Sequence, residues 1–271
     1  MLNKVISVCN RRDSDIFQIS ARYITKYIAA KKFVVIVPEK DLDYFYSLKI
    51  DEFNIESEEK YFDIYKLLIK KKLGLRFGWY FQQFVKMAEL DDGSVNDINL
   101  IWDADTIPLR KIEFEKNGKL YFFQGKEYNL PYFKLIKSLI GSEKLISTSF
   151  IAQCLPYKVK WFRNFKNEIE KKNYGNWFEE IINLIDINEN SGFSEYETLG
   201  TYALRNFKNE MVISNNTEEW YRYGNSLIDS PKNIQKYHNR LKTRYKFISF
   251  ESWDKKRTSL VKKIFKIYLG F

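Results

Sequence analysis

The run Ile98-Asn99-Leu100-Ile101-Trp102 leads directly into Asp103-Ala104-Asp105, and Pro108 stops the segment three residues later. An apolar run of this length reads as a buried strand. Along a strand, residues i and i+2 project the same way, so Asp103 and Asp105 are expected to aim at one point beyond its carboxyl end. Two convergent carboxylates form an oxygen site for a hard divalent cation, Mg²⁺ or Mn²⁺. Such a cation completes its coordination with substrate phosphates. The pair therefore points to chemistry on a diphosphate, for which a nucleotide-sugar is the commonest substrate.

The chain around this segment alternates strands with helices. Val5 to Cys9 reads as a buried strand, followed by a helix from about Asp15 to Ala30. Phe33 to Val37 is a second buried strand stopped by Pro38, and a short helix follows through Leu48. A weak strand at Phe53 to Glu56, a helical stretch from Tyr61 to Lys72 and a helix from Trp79 to Leu90 lead to the Asp103 strand. The β-α-β-α rhythm predicts an α/β sheet with a nucleotide at its carboxyl ends. Beyond it, strands are expected at Leu120 to Phe123, Ile146 to Ala152 and Tyr245 to Phe250, and helices at Lys160 to Lys172 and Trp177 to Ile185. Phe193 to Asn206 reads as a helix with Ser194 as N-cap and Glu195 and Glu197 in its first turn. Val261, Ile264, Phe265 and Tyr268 against lysines make Lys255 to Phe271 a basic amphipathic helix, suited to an anionic membrane face or to the protein's own core.

With 271 residues, 45% hydrophobic and 17% aromatic, the chain can bury a sizeable core as one large domain. Cys9 and Cys154 sit in apolar runs and read as buried, reduced thiols. No signal peptide and no spanning apolar run of ~18 residues is evident, which predicts a cytoplasmic protein. The net charge of +10 implies attraction to polyanions. Nucleic-acid binding is the competing class. The lysines, however, are interspersed with glutamates, and no recognisable nucleic-acid motif is present. A phosphatase motif of the D-x-D-x-T type is a rival reading that the sequence disfavours: Thr106 comes one residue too early, the pair lies far from the N-terminus, and no glycine-aspartate metal loop follows. A catalytically inactive scaffold of the same fold is the third reading.

Three blocks together resemble a family of bacterial glycosyltransferase-like proteins, long labelled a domain of unknown function and associated with polysaccharide or lipopolysaccharide synthesis. They are Gly78-Trp79-Tyr80-Phe81-Gln82-Gln83-Phe84-Val85-Lys86, Trp102-Asp103-Ala104-Asp105-Thr106 and Phe193-Ser194-Glu195-Tyr196-Glu197. The second is similar to the D-x-D region of GT-A glycosyltransferases. The resemblance implies an α/β GT-A fold in a single domain. Residues 1–110 form a Rossmann-like nucleotide-sugar half on a mixed central sheet, 111–254 an acceptor half, and 255–271 the basic tail. It implies a metal-dependent, inverting transfer from a nucleotide-sugar, a UDP-sugar first, to a glycan or lipid-linked glycan of lipopolysaccharide or capsule. Peripheral contact with the inner membrane face fits that scheme, and nucleic acid does not. One departure stands at Ser149 to Gln153, where the family pattern has a histidine near Gln153.

In that scheme Asp105 binds the metal, while Asp103 binds it through water or holds the donor ribose. A helix starting near Trp79 carries Gln82, Gln83 and Lys86 toward the donor, or else is an amphipathic helix with solvated polar groups. Direct displacement needs a base for the acceptor hydroxyl. Glu195 is the first candidate and Glu197 a binder of sugar or acceptor, unless both serve only the positive end of the helix dipole. Asn10 and Arg11 or Arg12 after the first strand, and Glu39 after the second, line the donor pocket by position. His238, the only histidine, is the candidate third metal ligand.

Overall fold

The computed structural model describes residues 1–62, 66–173, 175–254 and Ile267, with backbone alone at 62, 66–68 and 173. The tail expected as a basic helix, and the middle of the Tyr61 to Lys72 stretch, lie outside the described residues apart from Ile267. Strands are Leu2–Val8 (β1), Ala30–Val37 (β2), Phe53–Ser57 (β3), Ile98–Trp102 (β4), Thr106–Pro108 (β5), Glu115–Lys116 (β6), Lys119–Phe122 (β7), Cys154–Lys158 (β8), Met211–Ile213 (β9), Trp220–Tyr221 (β10) and Phe247–Ser249 (β11). Helices are Ser14–Tyr27 (α1), Leu42–Tyr46 (α2), Glu59–Phe62 (α3), Lys66–Leu73 (α4), Phe77–Glu89 (α5), Leu130–Ile140 (α6), Val159–Asn173 (α7), Trp177–Leu184 (α8), Glu195–Phe207 (α9), Gly224–Ile228 (α10) and Ile234–Arg244 (α11).

The expected apolar runs assemble into a five-stranded sheet in the order β3-β2-β1-β4-β8. Its first four strands are parallel, with Val5 opposite both Phe33 and Leu100. Every residue of β4 is buried, as a strand covered on both faces requires. The order sets where a ligand can sit. From β1 the chain winds outward to β2 and β3, then returns to the opposite side of β1 as β4. The connections after β1 and β4 leave in different directions, opening a crevice at their carboxyl ends.

β8 corrects one expectation. Ile146 to Ala152 is irregular, and the strand is Cys154–Lys158, antiparallel to β4. Pro156 stands in the middle of β8, opposite Leu100. A proline without an N–H is tolerated there because β8 is an edge strand. Three helices were not anticipated, α6, the five-residue α10 and α11. α6 carries its proline in the first turn and ends at Gly141 with φ 68°, the usual helix punctuation. α11 buries only Ile234 and Leu241, too thin a stripe to stand out as a period.

Two three-stranded sheets flank the main one, β10-β11-β5 and β6-β7-β9. β11 runs antiparallel to β5, with Ser249 opposite Thr106. The chain leaving β11 therefore emerges beside the chain entering β5. Both cysteines are free and buried.

Within the apolar core, β1 carries a buried lysine. Lys4 Nζ bonds Glu89 at the end of α5 and Asp92 beyond it. Glu89 is fully buried and also accepts the Tyr61 hydroxyl. Removing one partner of a buried ion pair leaves an uncompensated charge. Lys4→Met should therefore lower stability by about 3–5 kcal/mol, read as a shift of the urea midpoint at constant slope. A loss below ~1 kcal/mol would mean that Tyr61 and Lys60, whose Nζ lies 3.6 Å from Glu89 Oε2, suffice for Glu89.

Candidate functional site

A cleft of about 1030 Å³ opens at the carboxyl ends of β1, β2 and β4. The residue pair at its floor converges by a different route from the one expected. β4 ends at Trp102, and Asp103 to Asp105 form a turn rather than strand. The turn is fixed by main-chain bonds: Asp103 N donates to Gln153 O at 3.0 Å, Thr106 N to Asp103 O at 3.0 Å, and Phe250 N to Asp105 O at 3.0 Å. Ser7 Oγ donates to Trp102 O at 2.8 Å, tying the ends of β1 and β4 together. Both aspartates line the cleft.

Lys86 links three elements at this floor. Its buried ammonium lies 2.5 Å from Asp103 Oδ1 and 3.0 Å from Glu195 Oε1, and the Tyr196 hydroxyl donates to the same Asp103 oxygen at 2.6 Å. Burial by itself would lower the Lys86 pKa, but Asp103 and Glu195 outweigh it and the ammonium is held more firmly protonated than usual. Glu195 is shifted up by burial, against the pull of Lys86.

Asp105 has no such cation. Its described partners are the hydroxyls of Thr106 and Ser249, each at 3.4 Å. Its pKa is pushed well above the carboxylate range, first by desolvation and then by the carboxylates of Glu251, Asp103 and Asp13. Glu251 is raised by burial too, partly offset by Arg222. Among the described residues, no cluster of three His, Cys, Asp or Glu side chains is arranged to hold a metal. What the cleft offers a cation is two carboxylates, one of them poorly compensated.

The other anticipated residues divide. Asn10, Glu39, Trp79, Gln82, Gln83, Lys86 and Glu195 line the cleft, as does Arg12. Gln83 is already engaged: its Oε1 accepts the Glu195 N–H at 3.0 Å and its Nε2 donates to Trp79 O at 3.2 Å. It pins the start of α9 to α5. Arg11 does not line the cleft; its guanidinium stacks 4.3 Å over Tyr44. Glu197 points the other way along the helix, accepting from Ser149 Oγ and, at 3.2 Å, from Phe150 N. It braces the loop whose Gln153 carbonyl holds Asp103. Ser194 caps α9 by accepting the Glu197 N–H at 3.4 Å, as expected. His238 lies on α11, stacked on Tyr27 and 3.2 Å from its hydroxyl, away from the aspartates. Burial lowers its pKa.

The structure also adds Glu127, Arg222, Glu251 and Trp253 to the lining. Glu251 and Trp253 follow a strand end, as Asp103 does, and fall in the stretch Phe247 to Trp253, where the resemblance is weaker than in the three blocks; Glu127 and Arg222 carried no sequence signal. Gln153 adopts φ 60° and donates to Glu251 Oε1 at 2.9 Å. A non-glycine residue in the left-handed region is uncommon and concentrates at sites of this kind.

No protein-family model matches the chain, and no curated protein matches its sequence. Among solved structures, apo mouse xyloside xylosyltransferase 1 aligns with a TM-score of 0.52 at 7% identity, over 93% of this chain and 98% of that one. Galactosyltransferase LgtC, in complex with donor and acceptor sugar analogs, aligns at 0.49 and 12% identity over 97% and 94%. Glycosyltransferase GlyE of Streptococcus pneumoniae TIGR4 aligns at 0.48 and 10% over 99% of this chain and 61% of that one. The expected fold is the observed one, a GT-A glycosyltransferase fold with a mostly parallel central sheet.

Lys86 generates the prediction for this site. Lys86→Met would leave Asp103 and Glu195 buried without their cation and should cost about 3–5 kcal/mol in urea denaturation. Lys86→Arg, which retains the charge, should recover most of that loss. Equal losses in both variants would show that side-chain shape, not charge, is what the floor requires.

Proposed function

We propose that this chain, which has the GT-A glycosyltransferase fold, is a metal-assisted glycosyltransferase. It takes a sugar from a nucleoside-diphosphate sugar, a UDP-sugar first, and passes it to a glycan or lipid-linked glycan acceptor. Following the family resemblance, the acceptor belongs to a bacterial surface polysaccharide, lipopolysaccharide or capsule.

The observation that carries this reading is the charge of the cleft. The protein is basic, with net charge +10, yet nine acidic and five basic side chains line the cleft among the described residues. An anionic diphosphate enters such a cleft favourably only with a cation. Asp103 and Asp105 fit one: Mg²⁺ in particular is held by one or two carboxylates with the rest of its shell from water and substrate phosphates. When bound, the metal supplies Lewis-acid neutralisation of the charge that builds on the departing nucleoside diphosphate.

The chain's own residues have separate tasks. Asn10, Glu39, Trp79 and Gln82 surround the donor on the side of β1, β2 and α5, within residues 1–110. The acceptor approaches from residues 111–254. Lys86 holds Asp103 and Glu195 in place and sets positive charge beneath the site. Glu195, the one acidic residue of the α9 first turn that reaches the cleft, takes the acceptor hydroxyl proton while that oxygen bonds the anomeric carbon and the diphosphate leaves. Direct displacement of this kind inverts the anomeric configuration. No helix among the described residues is long and apolar enough to cross a membrane. The reading places the enzyme at the cytoplasmic membrane face, with the lysine-rich C-terminal stretch as its contact.

Thermal shift with UDP-, GDP- and CMP-linked sugars, with and without Mn²⁺, tests the donor. One nucleotide class should stabilise the protein only with metal, and Asp105→Asn should abolish that effect. Glu195→Gln should lower transfer by ~10²–10⁴-fold while donor binding persists, and NMR of the product should show an inverted anomeric centre. Metal-independent indifference to every donor would refute the reading, and retained configuration would remove the base role of Glu195.

A further inference from the structure

Trp253 is 54% exposed, yet its ring is fixed from several sides. The indole N–H donates to Glu251 Oε2 at 2.9 Å. Tyr223 meets the ring edge-on with centroids 5.8 Å apart, and the Arg222 guanidinium carbon lies 5.3 Å from the ring centroid. Glu251 is itself immobilised: Arg222 Nε and Nη2 donate to its Oε1 at 3.0 and 2.8 Å, and Gln153 Nε2 joins them at 2.9 Å. Asn225 Nδ2 donates to its main-chain oxygen at 3.0 Å. An exposed indole is ordinarily free to turn. This one is set rigidly in the wall of a cleft, presenting flat apolar surface beside hydrogen-bonding groups.

Its place in the fold is equally specific. Residues after β11 emerge next to the Asp105 turn, through the Ser249–Thr106 pairing and the Phe250 N–Asp105 O bond. Asn10 and Glu39 lie after β1 and β2, on strands that belong to a different sheet from β11. Trp253 thus stands at the reacting end of the cleft, on the wall contributed by the second half of the chain.

A pyranose ring fits this surface. One of its faces presents C–H groups, weakly positive and apolar, which suit the negative face of an aromatic ring. Its equatorial hydroxyls lie at the edge, within reach of carboxylate and guanidinium groups such as those of Glu127 and Arg222. We propose that Trp253 is the stacking platform for a pyranose ring of the glycan acceptor, held in orientation by the Arg222–Glu251–Gln153 network. The proposal rests on the transferase reading of the cleft and narrows it: the acceptor is a sugar, and the hydroxyl that attacks is carried by or next to the stacked ring.

The test separates sugar binding from transfer. Lactose, cellobiose, maltose and N,N′-diacetylchitobiose are offered to the full chain without donor, and saturation-transfer NMR reads binding. At least one should bind through the C–H protons of one ring. Trp253→Ala should weaken it by ~10-fold or more, and Trp253→Phe, which keeps an aromatic face, by no more than ~3-fold. The melting temperature should fall by no more than about a few degrees, because the ring is more than half exposed and Arg222 and Gln153 still hold Glu251. Binding of a UDP-sugar with Mn²⁺ should stay within about twofold in Trp253→Ala, since the platform meets the acceptor alone. The proposal is overturned if no disaccharide binds, if Trp253→Ala binds as well as wild type, or if the loss appears in donor affinity instead. Trp253-dependent sugar binding without affinity for any nucleotide-sugar would overturn the transferase reading and leave a carbohydrate-binding platform.

Discussion

The contact of Lys86 with Asp103 and Glu195 is the constraint on which the site depends. One ammonium joins α5 in the first half of the chain, the turn after β4, and the first residue of α9 in the second half. Each carboxylate alone would be costly to bury, and the cation between them removes the larger part of that cost. The surrounding bonds repeat the same connection. Gln83 on α5 accepts the Glu195 N–H, the Tyr80 hydroxyl accepts the Gly192 N–H at 2.9 Å, and Phe84 stacks on Phe193 at 5.5 Å. The seam between the halves is therefore an extension of the core, and the cleft floor inherits the rigidity of that packing.

Much of this was legible because burial on two faces imposes a simple rule. A strand covered on both faces must be apolar throughout, so β1, β2 and β4 stand out as runs, and their order along the chain indicates the parallel sheet. Where a residue's environment comes from distant chain, the reading fails. β8 carries a proline that looks like a strand breaker until its edge position is known. The two aspartates were expected to converge by strand alternation, whereas they converge in a turn held by Gln153 and Phe250. Neither partner is near in sequence.

The candidate residues divide along the same line. Type and spacing marked Lys86, Asp103, Asp105 and Glu195, all of which reach the cleft floor. Gln83 and Glu197 have equally suitable chemistry, but main-chain groups of other segments take up their polar atoms. A glutamate that caps a loop and one that faces a ligand are identical in sequence. His238 illustrates the limit of a lone residue: its neighbours are Tyr23 and Tyr27, and nothing near it in the chain indicates which face of α1 it will meet. Arg222 escaped notice for the opposite reason, since β10 has only two residues and cannot announce a strand, while Glu251 lies just past the expected Tyr245 to Phe250 strand with nothing in its spacing to mark it.

Charge distribution ties fold to function more firmly than net charge does. A surplus of +10 spread over the surface draws anions toward the protein, while the cleft itself is acidic. These two facts conflict for a nucleic acid, whose continuous phosphates would meet carboxylates wherever they entered. They agree for a small diphosphate that arrives with its own cation. In the proposed function the outer field would raise the local concentration of the anion, and the carboxylate floor would admit it as the metal complex. On that reading, Asp105 is the residue that would make this selection. Lys86 pairs with both Asp103 and Glu195 and offsets one of their two charges, whereas Asp105 has no ion pair among the described residues, and its neighbour Glu251 adds negative charge beside it. Sparing one carboxylate from the ion-pair network costs stability, and in the proposed function that cost would couple substrate entry to the cation.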